Sequence, residues 1–220
     1  MNFKKIIAVA VTLFLFLCPV TVGTSTGPDV DKLIEIRYRS AIDSHNSLWN
    51  CLFLLYPENR EFLWHEKYGE NEYGRYQEII LSDKNGKIVA VFFTQDKLEP
   101  FARVDFGGGD WCGDLSRKQI KTWLEMQNFS RTAKPGDVYR ANYKTSKNDY
   151  KIFIEAREFS ILELGGKPVK TLYFEGNILK KDKKFTDIKF WIIREGELKG
   201  QMAKCAFKRS FWPLVVIEIM

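Results

Sequence analysis

The stretch RYQEIILSDKNGKIVAVFFTQ, residues 75–95, shows most clearly the strand pattern from which the fold of this 220-residue chain is predicted. Two segments rich in β-branched and aromatic residues, 75–83 and 87–95, meet at Asn85-Gly86. Such residues favour pleated strands, and an Asn-Gly pair supplies the positive φ angles of a tight hairpin turn. The stretch therefore predicts two antiparallel strands joined by a short turn.

The same strand pattern continues in both directions along the chain. In residues 32–42, Ile34, Ile36 and Tyr38 alternate with charged residues, which is typical of a strand with one buried face. Further predicted strand segments are 47–56, 60–69, 101–106, 137–145, 149–162, 170–176, 185–194, 201–208 and 211–219.

Short turns separate these segments. Gly165-Gly166 and Glu195-Gly196 each predict a turn between two strands. The run KKDKKF, Lys180 to Phe185, places four lysines around one aspartate between two predicted strands. Lysine keeps strand edges from pairing, so this run is interpreted as a solvated hairpin tip, with contact to anionic lipid or polysaccharide as the alternative.

One mid-chain segment, residues 116–129, changes to helical spacing. Ser116 and Gln119 form a capping-box pattern at its start. The face predicted to be buried carries Ile120, Trp123, Leu124 and Gln127.

Together these segments predict a mainly β fold. Roughly ten strands and one helix indicate a curled antiparallel sheet or β-barrel with one amphipathic helix at mid-chain, because closure protects strand edges. No internal repeat or linker follows Gly27, so residues 24–220 are predicted to form a single β-rich domain.

The N-terminus is typical of a secretory signal peptide. Lys4 and Lys5 precede an uninterrupted apolar run that stops before Pro19, well short of the roughly 20 residues of a spanning helix. Residues 1–23 are therefore predicted to be removed by cleavage after Gly23, and the protein to be periplasmic or secreted. A retained anchor and lipidation at Cys18 are the alternatives, although Leu17 occupies a position where lipidation normally requires a small residue.

Charge and cysteine content restrict the partners and the covalent structure. A net charge of +6 is too small to indicate nucleic acid, but it suits an anionic envelope surface. After cleavage Cys51, Cys112 and Cys205 remain, so at most one disulfide forms and the alternative is three unbridged side chains.

The segment FGGGDWCGDLS, residues 106–116, resembles a phosphate-binding loop only in its glycines. Asp114 and Leu115 stand where a phosphate-binding loop needs Lys and Ser/Thr, and Cys112 replaces the third glycine of the dinucleotide motif. The loop is therefore predicted to be a turn without nucleotide, with Asp114 or Ser116 capping the following helix. An irregular calcium site formed by Asp105, Asp110 and Asp114 is the alternative, although their spacing does not match the usual calcium loop.

No pattern in the sequence identifies catalytic, cofactor-binding or metal-binding residues, and no cofactor is expected. His45 and His65 lie outside any triad or zinc signature. Carboxylate pairs of the kind that hydrolyse glycosides can be recognised only in space, so an enzyme stays open as the less favoured alternative.

From Leu115 onward the order of features resembles the exported bacterial family called domain of unknown function 3108. The resemblance is carried by the helix LSRKQIKTWLEMQNF, the segment KPGDVYRANY, the hairpin ILELGGKPVKTLYFE, the strand FTDIKFWI with Trp191, and the closing FWPLVVIEI. The proline that often follows the acidic turn in that family is absent from LKGQMAKCAF. The resemblance implies an exported β-rich domain, and it carries over no catalytic residue.

Two functions follow from these observations. The first is a non-enzymatic binding or structural protein of the cell envelope that holds an apolar or amphipathic ligand, lipid or glycan, inside the sheet or barrel. The second is a carboxylate-dependent hydrolase acting on an envelope polysaccharide. The ligand-lining candidates are aromatic residues of predicted strands, with a filled core as the alternative: Trp49, Phe53, Phe92, Phe93, Phe153, Phe174 and Trp191. The oligomeric state is left open.

Overall fold

The computed structural model describes residues 32–43, 60–104, 113–144, 148–209 and 214–220. These residues form twelve strands and one α-helix. The elements are β1 (Lys32–Asp43), β2 (Arg60–Asn71), β3 (Gly74–Asp83), β4 (Ile88–Gln95), β5 (Leu98–Val104), β6 (Gly113–Asp114), α1 (Arg117–Thr132), β7 (Val138–Lys144), β8 (Asp149–Leu164), β9 (Lys167–Lys180), β10 (Lys183–Ile193), β11 (Met202–Arg209) and β12 (Leu214–Ile219).

All twelve strands belong to one antiparallel sheet, ordered β6-β5-β4-β3-β2-β1-β12-β11-β10-β9-β8-β7. The pairing of β1 with β12 joins a meander of the first half of the chain to a meander of the second half. The predicted mainly β, antiparallel fold with one mid-chain helix is confirmed. Of the two architectures predicted, the open sheet is correct and the barrel is not, since β6 and β7 lie at opposite ends and do not pair.

Contacts between side chains of strands that are not neighbours show that the sheet is strongly curled. Two strands separate β2 from β11, so a flat sheet would hold them about 14 Å apart at a spacing of about 4.8 Å per strand. Yet Gln201 Nε2, just before β11, donates to Glu66 Oε2 of β2 at 2.7 Å. Tyr38 Oη of β1 likewise donates to the Met202 carbonyl of β11 at 3.1 Å.

The alternation predicted for β1 is confirmed. Ile34, Ile36 and Tyr38 are buried on the concave face, while Glu35 and Arg37 between them are exposed. The same period of two places Phe62 and Trp64 of β2, and Ile79 and Leu81 of β3, in the core. The core of the protein therefore lies inside the curl of the sheet.

Helix α1 spans the open side of this curl. Toward one end of the sheet, Trp123 packs edge-on against Phe92 of β4 with ring centroids 3.7 Å apart. Toward the other end, Phe129 contacts Tyr139 of β7 at 5.5 Å and Phe174 of β9 at 5.9 Å. The helix thus covers the concave face between two ends of the sheet that do not pair.

The helix begins where the sequence predicts. Ser116 Oγ accepts a hydrogen bond from the Gln119 amide at 3.4 Å, and Gln119 Oε1 accepts one from the Ser116 amide at 2.8 Å. Of the two candidate caps, Ser116 is therefore the cap. Asp114 instead lies in the two-residue strand β6 and forms an exposed ion pair with Arg103 at 3.8 Å.

Most of the predicted turns are confirmed, with one correction. Gly165, Gly166 and Gly196 have positive φ angles, as does the tip of the lysine-rich hairpin at Lys181 and Asp182.

At the first hairpin the prediction was half wrong, since Gly86 has a φ of 78° but Asn85 does not have a positive φ. The reason is that the Asp83 side chain accepts hydrogen bonds from the amides of Asn85 at 2.9 Å and Lys87 at 3.0 Å. These bonds favour a wider turn that needs a single glycine.

Several predictions fall on residues outside the described ranges. These are the signal peptide, the strand 47–56, the glycines 107–109, Asp105 and Asp110 of the alternative calcium site, and Cys51 and Cys112. Cys205 of β11 is described, and it is a buried free thiol. The one helix of the described ranges, α1, does not have the length and apolar character needed to cross a membrane.

Candidate functional site

A buried polar cluster interrupts the apolar interior of the curled sheet. On β2 the period of two places Trp64, Glu66 and Tyr68 on the concave face. Trp64 and Glu66 are both completely buried, and Tyr68 is partly exposed at the side of the core. A carboxylate at such a position requires hydrogen-bond partners, because an unpaired buried charge is very costly.

Four side chains donate hydrogen bonds to the Glu66 carboxylate. Gln201 Nε2 bonds to Oε2 at 2.7 Å and Trp64 Nε1 to the same oxygen at 3.3 Å. Gln77 Nε2 of β3 bonds to Oε1 at 2.5 Å, and the Tyr68 hydroxyl bonds to that oxygen as well. The carboxylate therefore connects β2, β3 and the segment before β11, which lies 135 positions away in sequence from Glu66.

Arg131 in the last turn of α1 adds a positive charge to this cluster. It is close enough to Glu66 and Tyr68 to influence the pKa of both. Its Nε and Nη2 atoms are buried and have no hydrogen-bond partner in the part of the chain that the structure describes. The same holds for Gln201 Oε1. The cluster thus combines a fully engaged carboxylate with two donor atoms and one acceptor atom that are not engaged.

Burial dominates the electrostatics of the cluster. It raises the pKa of Glu66, although the hydrogen bonds from Tyr68 and Gln201 act in the opposite direction. Burial and the neighbouring carboxylate also raise the pKa of Tyr68. Burial lowers the pKa of Arg131 to about 10, so the guanidinium remains charged at neutral pH. The site can therefore hold one positive charge beside a carboxyl group whose proton is retained to a higher pH than usual.

Arg194, just after β10, holds the end of α1 that carries Arg131. Arg194 Nη2 donates to the carbonyls of Ser130 at 2.8 Å and Ala133 at 3.3 Å, and Nη1 donates to the carbonyl of Arg131. The last carbonyls of a helix lack partners within the helix, so a cation placed there stabilises its end. The guanidinium also lies 5.7 Å from the centre of the Phe174 ring. Arg194 therefore fixes the position of Arg131 relative to the second half of the sheet.

The structure does not bring the five described ligand-lining candidates to one place. Phe92 and Phe174 are buried on the concave face. Phe93, Phe153 and Trp191 are half-buried side chains of the opposite, outer face of β4, β8 and β10. Their residue parity explains the division, because successive side chains of a strand point to opposite faces.

Trp49 and Phe53 lie outside the described residues. Whether any of the seven aromatics contacts a ligand stays a prediction.

The cluster itself was not predicted from the sequence, although two signals of it are present there. In the segment FLWHEKY, Phe62, Trp64, Glu66 and Tyr68 share one parity, so a charged residue stands on an otherwise apolar face. In the helix, Arg131 follows Gln127 by four positions and lies on the same face. Nothing in the sequence indicates that Gln201 reaches Glu66.

Neither a family model nor a curated protein matches the chain. The resemblance to domain of unknown function 3108 therefore stays a prediction.

Distant likenesses to solved structures exist. The hypothetical lipoprotein YmcC of Escherichia coli has 8% identity and a TM-score of 0.39, with 83% of this chain and 82% of that chain covered. A protein with a YmcC-like fold from Bacteroides fragilis has 11% identity and a TM-score of 0.38, with 87% and 95% covered. A LolA superfamily protein of Nitrosomonas europaea has 8% identity and a TM-score of 0.32, with 97% and 91% covered.

Proposed function

We propose that this protein is an exported cell-envelope protein that binds an amphipathic lipid inside the curled sheet. The polar end of the lipid occupies the cluster around Glu66 and Arg131, and its apolar part packs against the aromatic interior. The observation that carries this proposal is that three of the four buried side-chain polar atoms without a partner among the described residues, Arg131 Nε and Nη2 and Gln201 Oε1, belong to this cluster, while the fourth is Arg194 Nε. Buried polar atoms without partners are rare in native proteins, and a ligand that supplies the missing partners explains them.

The charges of the cluster favour an uncharged polar group on the ligand. When Glu66 is ionised, its charge and the charge of Arg131 balance each other, so an additional buried charge on the ligand would remain uncompensated. A ligand satisfies the unengaged atoms when its polar end accepts a hydrogen bond from Arg131 and donates one to Gln201. A hydroxyl or an amide meets both requirements. Tyr68 and Arg131 are partly exposed, so these two residues mark the side of the cluster that lies nearest to solvent.

Export completes the proposal and rests on the N-terminal sequence. Lys4 and Lys5, the apolar run and the small residues near Gly23 support removal of residues 1–23. The protein would then meet its ligand in the envelope. Intact mass of protein recovered from the periplasm tests this part, and a full-length chain in the cytoplasm would contradict it.

The hydrolase alternative receives less support from the geometry. A glycoside hydrolase of the usual kind needs two carboxylates on either side of the bond that it cleaves. Among the described residues Glu66 is the single carboxylate that is fully buried, and its bonded neighbours are amides, an indole and a phenol. This arrangement suits hydrogen bonding to a ligand better than paired acid and base catalysis.

Displacement of a fluorescent apolar probe tests the binding proposal. The mature protein is loaded with 1-N-phenylnaphthylamine and titrated with a monoacylglycerol or with an alkane of the same chain length. We expect the monoacylglycerol to displace the probe at lower concentration. Arg131→Met should weaken the binding of monoacylglycerol by about tenfold or more, because a hydrogen bond to a charged group contributes about 1.5–3 kcal/mol. Displacement by the alkane should not change.

The matched control is Arg157→Met, since Arg157 is exposed and pairs with Glu155 at 2.8 Å. It should behave like the wild type. Failure of the wild-type protein to bind the probe would refute an apolar site. Equal displacement by both compounds would refute the role of the polar cluster.

A further inference from the structure

A second concave feature lies on the outer face of the sheet, opposite the core. It is a groove of about 260 Å³ across β7, β8 and β9. Its lining residues are Arg140, Ala141, Asn142, Lys151, Ile152, Phe153, Asn177 and Leu179. Phe153 faces the groove, whereas Ile152 and Ile154 on either side of it are buried in the core.

The strand register arranges six residues of the groove, four polar and two apolar, in two rows. Arg140 is paired with Phe153, and Phe153 with Asn177, so these three form one row across three strands. Two positions along the strands, Asn142, Lys151 and Leu179 form the second row. Residues two apart share a face and paired residues lie side by side, so the six side chains form a compact patch.

The charges in and around this patch leave a cation available. Arg140 lies with its guanidinium carbon 5.1 Å from the centre of the Phe153 ring, and it has no carboxylate partner in the described ranges. The acidic side chains of the next row are already engaged. Glu155 pairs with Arg157 at 2.8 Å, and Glu175 pairs with Lys189 at 3.7 Å.

The remaining polar groups of the patch have different roles. Lys151 pairs with Asp182 of the hairpin tip at 2.5 Å. Within the described residues, the carboxamides of Asn142 and Asn177 make no hydrogen bond to another side chain or to the backbone. Each carboxamide carries both donors and an acceptor, which is the combination that binds hydroxyl groups.

We infer that this groove binds an acidic sugar unit of a glycan. The sugar carboxylate pairs with the Arg140 guanidinium, which presents a planar set of donors that matches a carboxylate. The sugar hydroxyls bond to Asn142 and Asn177, and the apolar edge of the ring packs against Phe153 and Leu179. The groove lies on the face of the sheet opposite the Glu66 cluster, so this site does not depend on the lipid proposed for the interior.

Titration of the mature protein with trigalacturonic acid, followed by isothermal calorimetry, tests this inference. We expect binding of trigalacturonic acid and about tenfold weaker binding, or none, of the neutral trisaccharide maltotriose. Arg140→Gln should weaken binding of the acid by about tenfold or more, and Asn177→Ala should weaken it to a smaller extent.

Arg157→Gln is the control, since Arg157 is exposed on β8 outside the groove. It should bind trigalacturonic acid like the wild type, and all variants should keep the wild-type melting temperature within a few degrees. Absence of trigalacturonic acid binding, equal binding of maltotriose, or an unchanged affinity in Arg140→Gln would overturn the inference. Competition by inorganic phosphate at the same concentration as the sugar would also overturn it, since this would indicate a simple anion site.

Discussion

Two regions of the same concave face solve the problem of burial in different ways. In the second half of the sheet, Phe174 and Phe190 are paired across β9 and β10, and their rings stack with centroids 4.6 Å apart. In the first half, Glu66 takes an equally buried position and is held by four hydrogen bonds. All three side chains have an exposed fraction of 0%.

The difference separates stability from function. Stacked rings remove apolar surface from water, and this hydrophobic contribution does not depend on hydrogen-bond geometry. A buried carboxylate adds little net stability to the fold even when all its hydrogen bonds are made. Its neighbours must also place their donors in positions that satisfy it. We therefore expect the Phe174 region to determine how stable the fold is, and the Glu66 region to determine what the interior recognises.

The largest effect is expected in the aromatic region. Phe174→Ala should lower the free energy of unfolding by about 4 kcal/mol, because it leaves a cavity beside Phe190 and Phe129. Phe93→Ala is the matched control, since Phe93 is half-buried on the outer face and stacks only loosely on Tyr76, with centroids 6.4 Å apart. Urea denaturation of both variants measures the difference. Equal losses would show that the concave face is not the core.

The next largest effect is expected in the polar region. Glu66→Leu should cost about 3 kcal/mol, because the indole, the phenol and two amides lose their common acceptor. Glu61→Leu on the exposed face of the same strand should change stability by less than about 0.5 kcal/mol. A neutral or stabilising effect of Glu66→Leu in urea denaturation would mean that the network can reorganise without a carboxylate.

A smaller effect concerns the helix that covers both regions. Ser116→Ala should cost about 1 kcal/mol through loss of the N-terminal cap. Asp114→Ala should be close to neutral, since Asp114 is exposed and its ion pair with Arg103 is long. Thermal denaturation of the two variants distinguishes them. A larger loss of stability for Asp114→Ala would mean that Asp114, and not Ser116, caps the helix.

The smallest effect is a dependence on pH that belongs to the Glu66 region alone. Burial raises the pKa of Glu66, so its contribution to stability is greatest below the ordinary pKa of a glutamate and is lost as the pH rises. Glu66→Gln does not titrate at this position. Its stability relative to the wild type should therefore improve between pH 4 and pH 8, measured by urea denaturation. A relative loss over that interval would mean that the hydrogen bonds outweigh burial and lower the pKa.

Local features of the fold could be predicted because each depends on neighbours in sequence. The alternation of Ile34, Ile36 and Tyr38 and the cap formed by Ser116 and Gln119 depend on residues two or three positions apart. Such short-range patterns are set by strand and helix geometry.

The remaining features depend on contacts across long separations. The bond between Glu66 and Gln201 exists because the sheet curls, and strand patterns do not specify how far a sheet curls. For the same reason the sequence could not decide between an open sheet and a barrel. The predicted aromatic lining is distributed over both faces because neighbours in a strand, such as Phe92 and Phe93, point to opposite sides of the sheet.

Native mass spectrometry of the protein isolated from the envelope of its own cells tests directly whether the interior holds a lipid. We expect mature protein that carries one copy of an amphipathic lipid with an uncharged hydroxyl or amide head. Arg131→Met protein purified in the same way should have lost most of this lipid, whereas Arg157→Met protein should retain it. Wild-type protein that is free of lipid, or Arg131→Met protein that carries as much lipid as the wild type, would refute lipid binding at the Glu66 cluster.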